Sequence, residues 1–125
     1  MPGANVLVVE DDAELLQLIS RVLTAAGHTV LTAGNGEAGL RLFRAEPPDA
    51  VVCDIVMPDR DGIELIPEMR RLQPNVKLIA ISGRQMIGAL DVLSLARRMG
   101  ADATLAKPFA MDALSGIVDS LLAGA

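Results

Sequence analysis

The stretch NVLVVEDD at positions 5–12 decides the fold class, because an apolar run of strand length ends there in three acids. Residues 50–54 (AVVCD) and 76–82 (VKLIAIS) repeat this arrangement, with a polar side chain directly after each run. Runs that are apolar at nearly every position are typical of strands covered by helices on both faces, as in a parallel sheet. Two weaker runs, 28–33 and 103–106, bring the number of predicted strands to five, and the polar run 28–33 is predicted to be an edge strand.

Apolar side chains recur at helical spacing between these runs. Gly27 ends the first predicted helix, Asn35 is placed to cap the second, and Pro67 predicts a first-turn start or a bend in the third. The predicted helices cover residues 15–26, 35–45, 63–72, 87–99 and 111–122. Five βα units predict a doubly wound α/β sheet, either flavodoxin-like with strand order 2-1-3-4-5 or ordered like half of a Rossmann sheet.

Composition excludes several classes of function. The 125 residues, 51% of them hydrophobic, fit one domain, so we expect residues 1–125 to form a single unit. A net charge of -5 and only two aromatic side chains argue against direct nucleic-acid binding. No uncharged apolar stretch reaches the roughly 18 residues of a membrane span. Because Cys53 is the only cysteine, the chain has no internal disulfide, which favours a reducing, cytoplasmic location. With His28 as the only histidine, the chain also lacks the ligands for a zinc site of Cys and His.

Side chains suited to chemistry follow four of the five strands: Glu10 and Asp11, then Asp54, Ser82 and Lys107. Because ligands of open α/β sheets bind beyond the carboxyl ends of the strands, we expect these groups to share one crevice. Two carboxylates about 4 Å apart repel by roughly 4 kcal/mol at an effective dielectric constant of 20, so a group of acids needs a cation. Carboxylates with a backbone carbonyl and water suit Mg²⁺.

Such a crevice is suited to phosphoryl transfer. Mg²⁺ and the amine of Lys107 would stabilise the phosphoryl oxygens, and the hydroxyl of Ser82 would donate to one of them. Asp54 is the candidate nucleophile and would form an aspartyl phosphate.

The same residues resemble the receiver domain of two-component response regulators, over essentially the whole chain. The matching segments are VLVVEDD at 6–12, VCDIVMP at 52–58 with Asp61-Gly62, ISG at 81–83 and AKPF at 106–109. The resemblance implies the strand order 2-1-3-4-5 and a cis bond between Lys107 and Pro108. It also implies the following roles: phosphoacceptor, Asp54; contacts to the phosphoryl group, Ser82 and Lys107; Mg²⁺ ligands, Glu10, Asp11, Asp54 and the backbone carbonyl of Val56.

The resemblance implies partners as well. A phosphohistidine on a histidine kinase or a histidine phosphotransfer protein would supply the phosphoryl group, and a downstream protein would read the changed surface. Leu15 is a candidate docking contact for the donor, with core packing as the alternative. No nucleic-acid or membrane partner is expected. The chain either stands alone or belongs to a longer protein.

Other functions are weighed against this one. An aspartyl phosphatase would need an acid two residues after the nucleophile, where this chain has Val56, so only slow loss of its own phosphoryl group is expected. No glycine-rich phosphate loop follows any strand, which argues against a nucleotide or flavin binder. A non-phosphorylated scaffold stays open because Thr104 stands where the family usually has Tyr or Phe, three residues before Lys107.

Overall fold

The computed structural model describes residues 3–57, 62–83, 86–87 and 90–124. Their elements follow one another in this order: β1 Asn5–Val9, α1 Ala13–Ala25, β2 Thr29–Ala33, α2 Gly36–Ala45, β3 Ala50–Asp54, α3 Gly62–Leu72, β4 Lys77–Ser82, β5 Met86–Ile87, β6 Leu90–Asp91, α4 Val92–Met99, β7 Ala103–Ala106 and α5 Met111–Ala123. Five strands form one parallel sheet in the order β2-β1-β3-β4-β7. Counting only the strands of this sheet, the order is 2-1-3-4-5, as the resemblance implies, and the half-Rossmann alternative is wrong.

Helices cover both faces of the sheet because its inner strands are apolar on both sides. Val6, Val8 and Val52 point to the face where α1 and α5 supply Ile19 and Leu114. The alternate residues of the same strands face α2, α3 and α4, and the large side chains in that second core include Leu7, Phe43, Leu65, Met69 and Leu78. The two cores hold the central strands β1 and β3 rigidly, and these are the strands that carry the acids.

Local signals explain where most elements begin and end. The side chain of Asp12 accepts from the backbone N–H groups of Glu14 and Leu15, and Asn35 caps α2 by accepting from Ala38 N. The exposed strand β2 lies at the edge of the sheet, as its polar sequence predicts. The helix α3 begins at Gly62, so a first-turn position for Pro67 is wrong.

The fourth helix is shorter than predicted. It begins at Val92 instead of residue 87, because the side chain of Asp91 accepts from Ser94 N at 3.3 Å and from Ser94 Oγ at 3.1 Å and thereby caps a new start. These hydrogen bonds lower the pKa of Asp91 and keep the cap charged. The residues before it form β5 and β6, a two-stranded antiparallel pair. Helical spacing alone cannot distinguish this pair from a first helical turn.

None of the helices in the described part of the chain has the length and apolar character needed to cross a bilayer.

Candidate functional site

Acids meet at the carboxyl edge of the sheet, on its two central strands. Glu10 directly follows β1, Asp54 is the last residue of β3, and both are buried. The two strands pair in parallel with Val9 opposite Cys53, which sets Glu10 beside Asp54. Asp11 is exposed, and one carboxylate oxygen from each of the three acids lies within 4.8 Å of the others. Three hard oxygen donors at this separation offer a site for a metal cation.

Lys107 reaches this acid group from the edge strand β7. Its Nζ lies 2.7 Å from Glu10 Oε1 and 3.0 Å from Asp54 Oδ2. Burial lowers the pKa of Lys107, but hydrogen bonds to Glu10 and Asp54 and the charges of both acids outweigh burial, so the pKa stands above its usual value. The amine therefore stays positively charged. The bond from Lys107 to Pro108 is cis, as the resemblance implies.

The ionised form of Glu10 is disfavoured by its surroundings. Burial raises its pKa, and the negative charge of Asp54 adds to this effect. Hydrogen bonds from Lys107 and from the backbone N–H of Asp12, at 3.0 Å, lower the pKa but only partly offset burial, which leaves it at about 7. A single ammonium group thus serves two buried carboxylates. A divalent cation would relieve this imbalance, so the donor set fits a metal.

Both oxygens of Asp54 have described partners. Oδ2 faces Lys107, and Oδ1 accepts a hydrogen bond from the backbone N–H of Val56 at 3.1 Å. The sequence gives no signal for this amide contact, because any residue except proline at position 56 supplies the same N–H. This hydrogen bond fixes the orientation of the Asp54 carboxylate.

Ser82 lies on the adjacent strand at the same edge. It ends β4, it is 2% exposed, and its backbone carbonyl accepts from Lys107 N at 2.8 Å. The register sets Asp54 opposite Ile81, one residue before Ser82. The structure therefore brings all the strand-end groups of the sequence analysis to one edge of the sheet.

Some residues of the sequence prediction lie outside the described part of the chain. These are Pro58 and Asp61 of the matched motif, and positions 88 and 89 of the predicted fourth helix.

Cys53 precedes Asp54 but belongs to the opposite face of the sheet. It is buried in the core beneath α2 and α3, and its Sγ lies 3.3 Å from the backbone oxygen of Asp54. Burial raises the pKa of this thiol, and the charges of Asp54 and Glu10 raise it further. Cys53 therefore stays a protonated thiol, in agreement with its interpretation as a small core residue.

The sequence profile of the response regulator receiver domain matches residues 6–119. The chain belongs to the response regulator receiver domain family. As a receiver domain it is a phosphorylatable signalling domain of two-component systems, and it acts as a phosphoacceptor.

Known proteins resemble this receiver domain over nearly its whole length. It is 34% identical over 119 residues to the transcriptional regulatory protein GlrR of Escherichia coli K12, a match that covers 95% of this chain and 26% of GlrR. The receiver domain thus spans about a quarter of the length of that relative. A CheY-like receiver domain structure from Methanospirillum hungatei JF-1 is 27% identical with a TM-score of 0.89, covering 98% of this chain and 95% of that one. The structure titled BeF3 Activated DrrB Receiver Domain is 26% identical with a TM-score of 0.85, covering 97% of this chain and 98% of that one.

Thr104 stands where the resemblance leads one to expect Tyr or Phe. It lies in β7, and its Oγ1 accepts hydrogen bonds from Arg97 Nε at 3.1 Å and Arg97 Nη2 at 2.7 Å. Sequence reasoning identified Thr104 but missed Arg97, since exposed arginines in the last turn of a helix are common and carry no specific signal.

Proposed function

We propose that Asp54 accepts a phosphoryl group from a phosphohistidine on a histidine kinase or a histidine phosphotransfer protein. The observation that supports this most directly is the position of the Lys107 amine, 3.0 Å from Asp54 and 2.7 Å from Glu10. A fixed cation beside a buried carboxylate stabilises the charge that a phosphoryl group brings to this edge of the sheet.

The reaction needs few steps. A carboxylate oxygen of Asp54 attacks phosphorus, a P–O bond forms, the P–N bond of the donor breaks, and its electron pair stays on the imidazole of the donor. Lys107 shifts its hydrogen bonds towards the incoming phosphoryl oxygens, and the hydroxyl of Ser82 donates a hydrogen bond to one of them. Val56 N–H holds the carboxylate in place during the attack. Slow hydrolysis of the aspartyl phosphate by water then resets the domain.

The proposed cofactor is Mg²⁺, held by Glu10, Asp11, Asp54 and the backbone carbonyl of Val56. Its support is the donor set, three carboxylates within 4.8 Å of one another and all of them hard oxygen ligands. When bound, Mg²⁺ neutralises charge on the phosphoryl oxygens and on the acids.

The donor protein is proposed to dock beside the site, on a groove of about 410 Å³ that borders Lys107. The groove combines side chains of α1 with residues of the segment between β7 and α5, and Leu18 in it is 45% exposed. Leu15 packs at the margin of the core and also lines the same groove, which supports its proposed role as a docking contact. The apolar lining and its position next to Asp12 and Lys107 suit a helical donor that presents a phosphohistidine.

We further propose that residues 1–125 form one receiver domain and that a downstream protein or protein segment reads its state. The five-stranded sheet with helices on both faces supports the first point. The cytoplasmic location, and the absence of a nucleic-acid or membrane partner for this domain, stay predictions.

Labelling with a small phosphodonor tests the proposed function. Incubation with acetyl phosphate and Mg²⁺ is expected to add one phosphoryl group per chain, and borohydride trapping followed by mass spectrometry should place it on Asp54. Chelation of Mg²⁺ with EDTA should reduce the yield by at least about tenfold, because the metal supplies much of the charge stabilisation. Label on another residue, or equal yield in EDTA, would contradict the assignment.

The stability of the metal-free protein is expected to depend on pH through Glu10. Its carboxyl titrates near 4.5 in the unfolded chain and at about 7 in the native state, so the native state binds the proton more tightly between these values. The free energy of unfolding therefore falls as pH rises through this window, by an amount on the order of 2–3 kcal/mol. Urea unfolding in EDTA at a series of pH values measures this slope.

Two comparisons isolate the contribution of Glu10. The variant Glu10→Gln should lose most of the slope, whereas Glu14→Gln, an exposed change on α1, should keep it. Adding millimolar Mg²⁺ to the parent should raise stability most at neutral pH, because the metal binds the ionised carboxyl. A slope that persists in Glu10→Gln, or Mg²⁺ that leaves the melting temperature unchanged, would refute this account.

A further inference from the structure

A polar contact links the fourth helix to the edge strand that carries the site lysine. Two nitrogens of the Arg97 guanidinium, on α4, donate to the single hydroxyl oxygen of Thr104, on β7. The hydroxyl oxygen accepts twice, and both donors, at 3.1 and 2.7 Å, belong to the same charged guanidinium. A contact of this kind fixes both side chains and, through them, the distance between helix and strand.

The other anchors of α4 on the sheet are apolar. It has eight residues; Val92 and Ala96 are its buried side chains among those described, and the partly buried Leu93 and Met99 pack against the same core. Its C-terminal end is held from the side of α3, where Arg70 Nη2 donates to the carbonyl of Gly100 at 2.7 Å. The contact between Arg97 and Thr104 is thus the described polar side-chain link that ties this helix directly to β7.

Thr104 also lies close to the site along the sheet. In the register of β4 and β7, Ala80 lies opposite Thr104 and Ser82 lies opposite Ala106. Because side chains two residues apart share a face of a strand, Thr104 projects to the same face as Ser82, with only alanine side chains between them. Lys107 directly follows the last residue of this strand. A shift of the strand ends towards Asp54 is therefore transmitted to Thr104.

We propose that the contact between Arg97 and Thr104 is a latch that holds α4 on β7 in the unphosphorylated state and opens when Asp54 is phosphorylated. This inference rests on the proposed function. Lys107 and Ser82 move towards the new phosphoryl oxygens and draw β7 with them, an edge strand whose side chains are only partly buried. Thr104 then leaves the guanidinium, and α4 is freed to take a second position. The latch opposes the phosphorylated state by the free energy of this contact.

Affinity for beryllofluoride, a phosphoryl mimic, tests the latch in the presence of Mg²⁺. Thr104→Val keeps the branched shape and removes the acceptor, and Arg97→Gln removes the charged donors. Each variant is expected to bind beryllofluoride about threefold more tightly, because loss of one exposed contact raises the population of the binding-competent state by about this factor. Matched controls are Thr32→Val, on the exposed edge strand β2, and Arg98→Gln, the next residue of α4. Both should bind like the parent.

The double variant decides whether the two residues act as a unit. With Thr104→Val in place, adding Arg97→Gln should change the affinity by less than about 1.5-fold, since the contact is already lost. Unchanged or weaker binding in the single variants, or fully additive effects in the double variant, would overturn the latch. Failure of the parent to bind beryllofluoride at Asp54 would instead overturn the proposed function, so the two failures are distinguishable.

Discussion

Replacing Asp54 by asparagine is expected to abolish phosphorylation, both by acetyl phosphate and by a phosphohistidine protein. The amide has no anionic oxygen to attack phosphorus, so the yield should fall by at least about 100-fold. The variant should nevertheless fold, because the amide oxygen still accepts a hydrogen bond of the kind that Val56 N–H makes with the carboxylate. In EDTA its free energy of unfolding should equal or exceed that of the parent, since one of two adjacent buried negative charges is gone.

The matched control for this variant is Asp12→Asn. Asp12 is an exposed acid near the same crevice, and asparagine caps a helix as well as aspartate does. This control should be labelled by acetyl phosphate like the parent. Equal labelling of Asp54→Asn and the parent would refute Asp54 as the nucleophile. Equal loss in both variants would indicate that a general reduction of negative charge, and not the nucleophile, controls the yield.

Replacing Lys107 by methionine is expected to have the largest effect on stability. The amine is the partner of two buried carboxylates, Glu10 and Asp54, and its removal leaves both without a described cation. Breaking a buried ion pair on one side destabilises a protein by about 3 kcal/mol. The loss should be greater at pH 8 than at pH 5, because Glu10, with a native pKa of about 7, takes up a proton at the lower pH and removes one of the charges. Urea unfolding in EDTA measures both values.

The chain supplies its own control for Lys107, since Lys77 is its only other lysine. Lys77 begins β4 at the opposite end of the sheet, so Lys77→Met should show no comparable difference between pH 5 and pH 8. Mg²⁺ should restore part of the stability of Lys107→Met, because a second cation reaches the same acids. A loss of stability that does not depend on pH would argue that Lys107 contributes by packing alone.

The positions of the site residues were predictable because they depend on strand ends. Glu10, Asp54 and Lys107 each follow an apolar run, and parallel pairing brings such positions to one edge whatever the details of the loops. The distances from the lysine to the two acids, and the acid whose pKa is raised, were not predictable. That Lys107 lies closer to Glu10 than to Asp54, and that Glu10 is the acid with the raised pKa, depends on depths of burial that spacing does not specify.

Side-chain contacts between different elements were also beyond the sequence pattern. The hydrogen bonds from Arg97 to Thr104 require the helix to lie at one height above β7, which depends on packing by both cores. The late start of α4 depends on a competition between the Asp91 cap and a longer helix, and helical spacing favours both outcomes. Both features concern the helix near the site and not the sheet that carries it.

Cys53 has a consequence for the chemical lifetime of the phosphorylated protein. An aspartyl phosphate is an activated acyl group, and a neighbouring thiolate would attack its carbonyl carbon, expel phosphate and leave an internal thioester. This chain carries such a sulfur on the residue next to Asp54, but the alternation of the strand points it into the opposite core, and its raised pKa keeps it protonated. The thiol of Cys53 and the phosphorylated carboxyl of Asp54 therefore lie on opposite faces of the sheet, although their residues are adjacent along the backbone. This separation protects the aspartyl phosphate from attack by the sulfur.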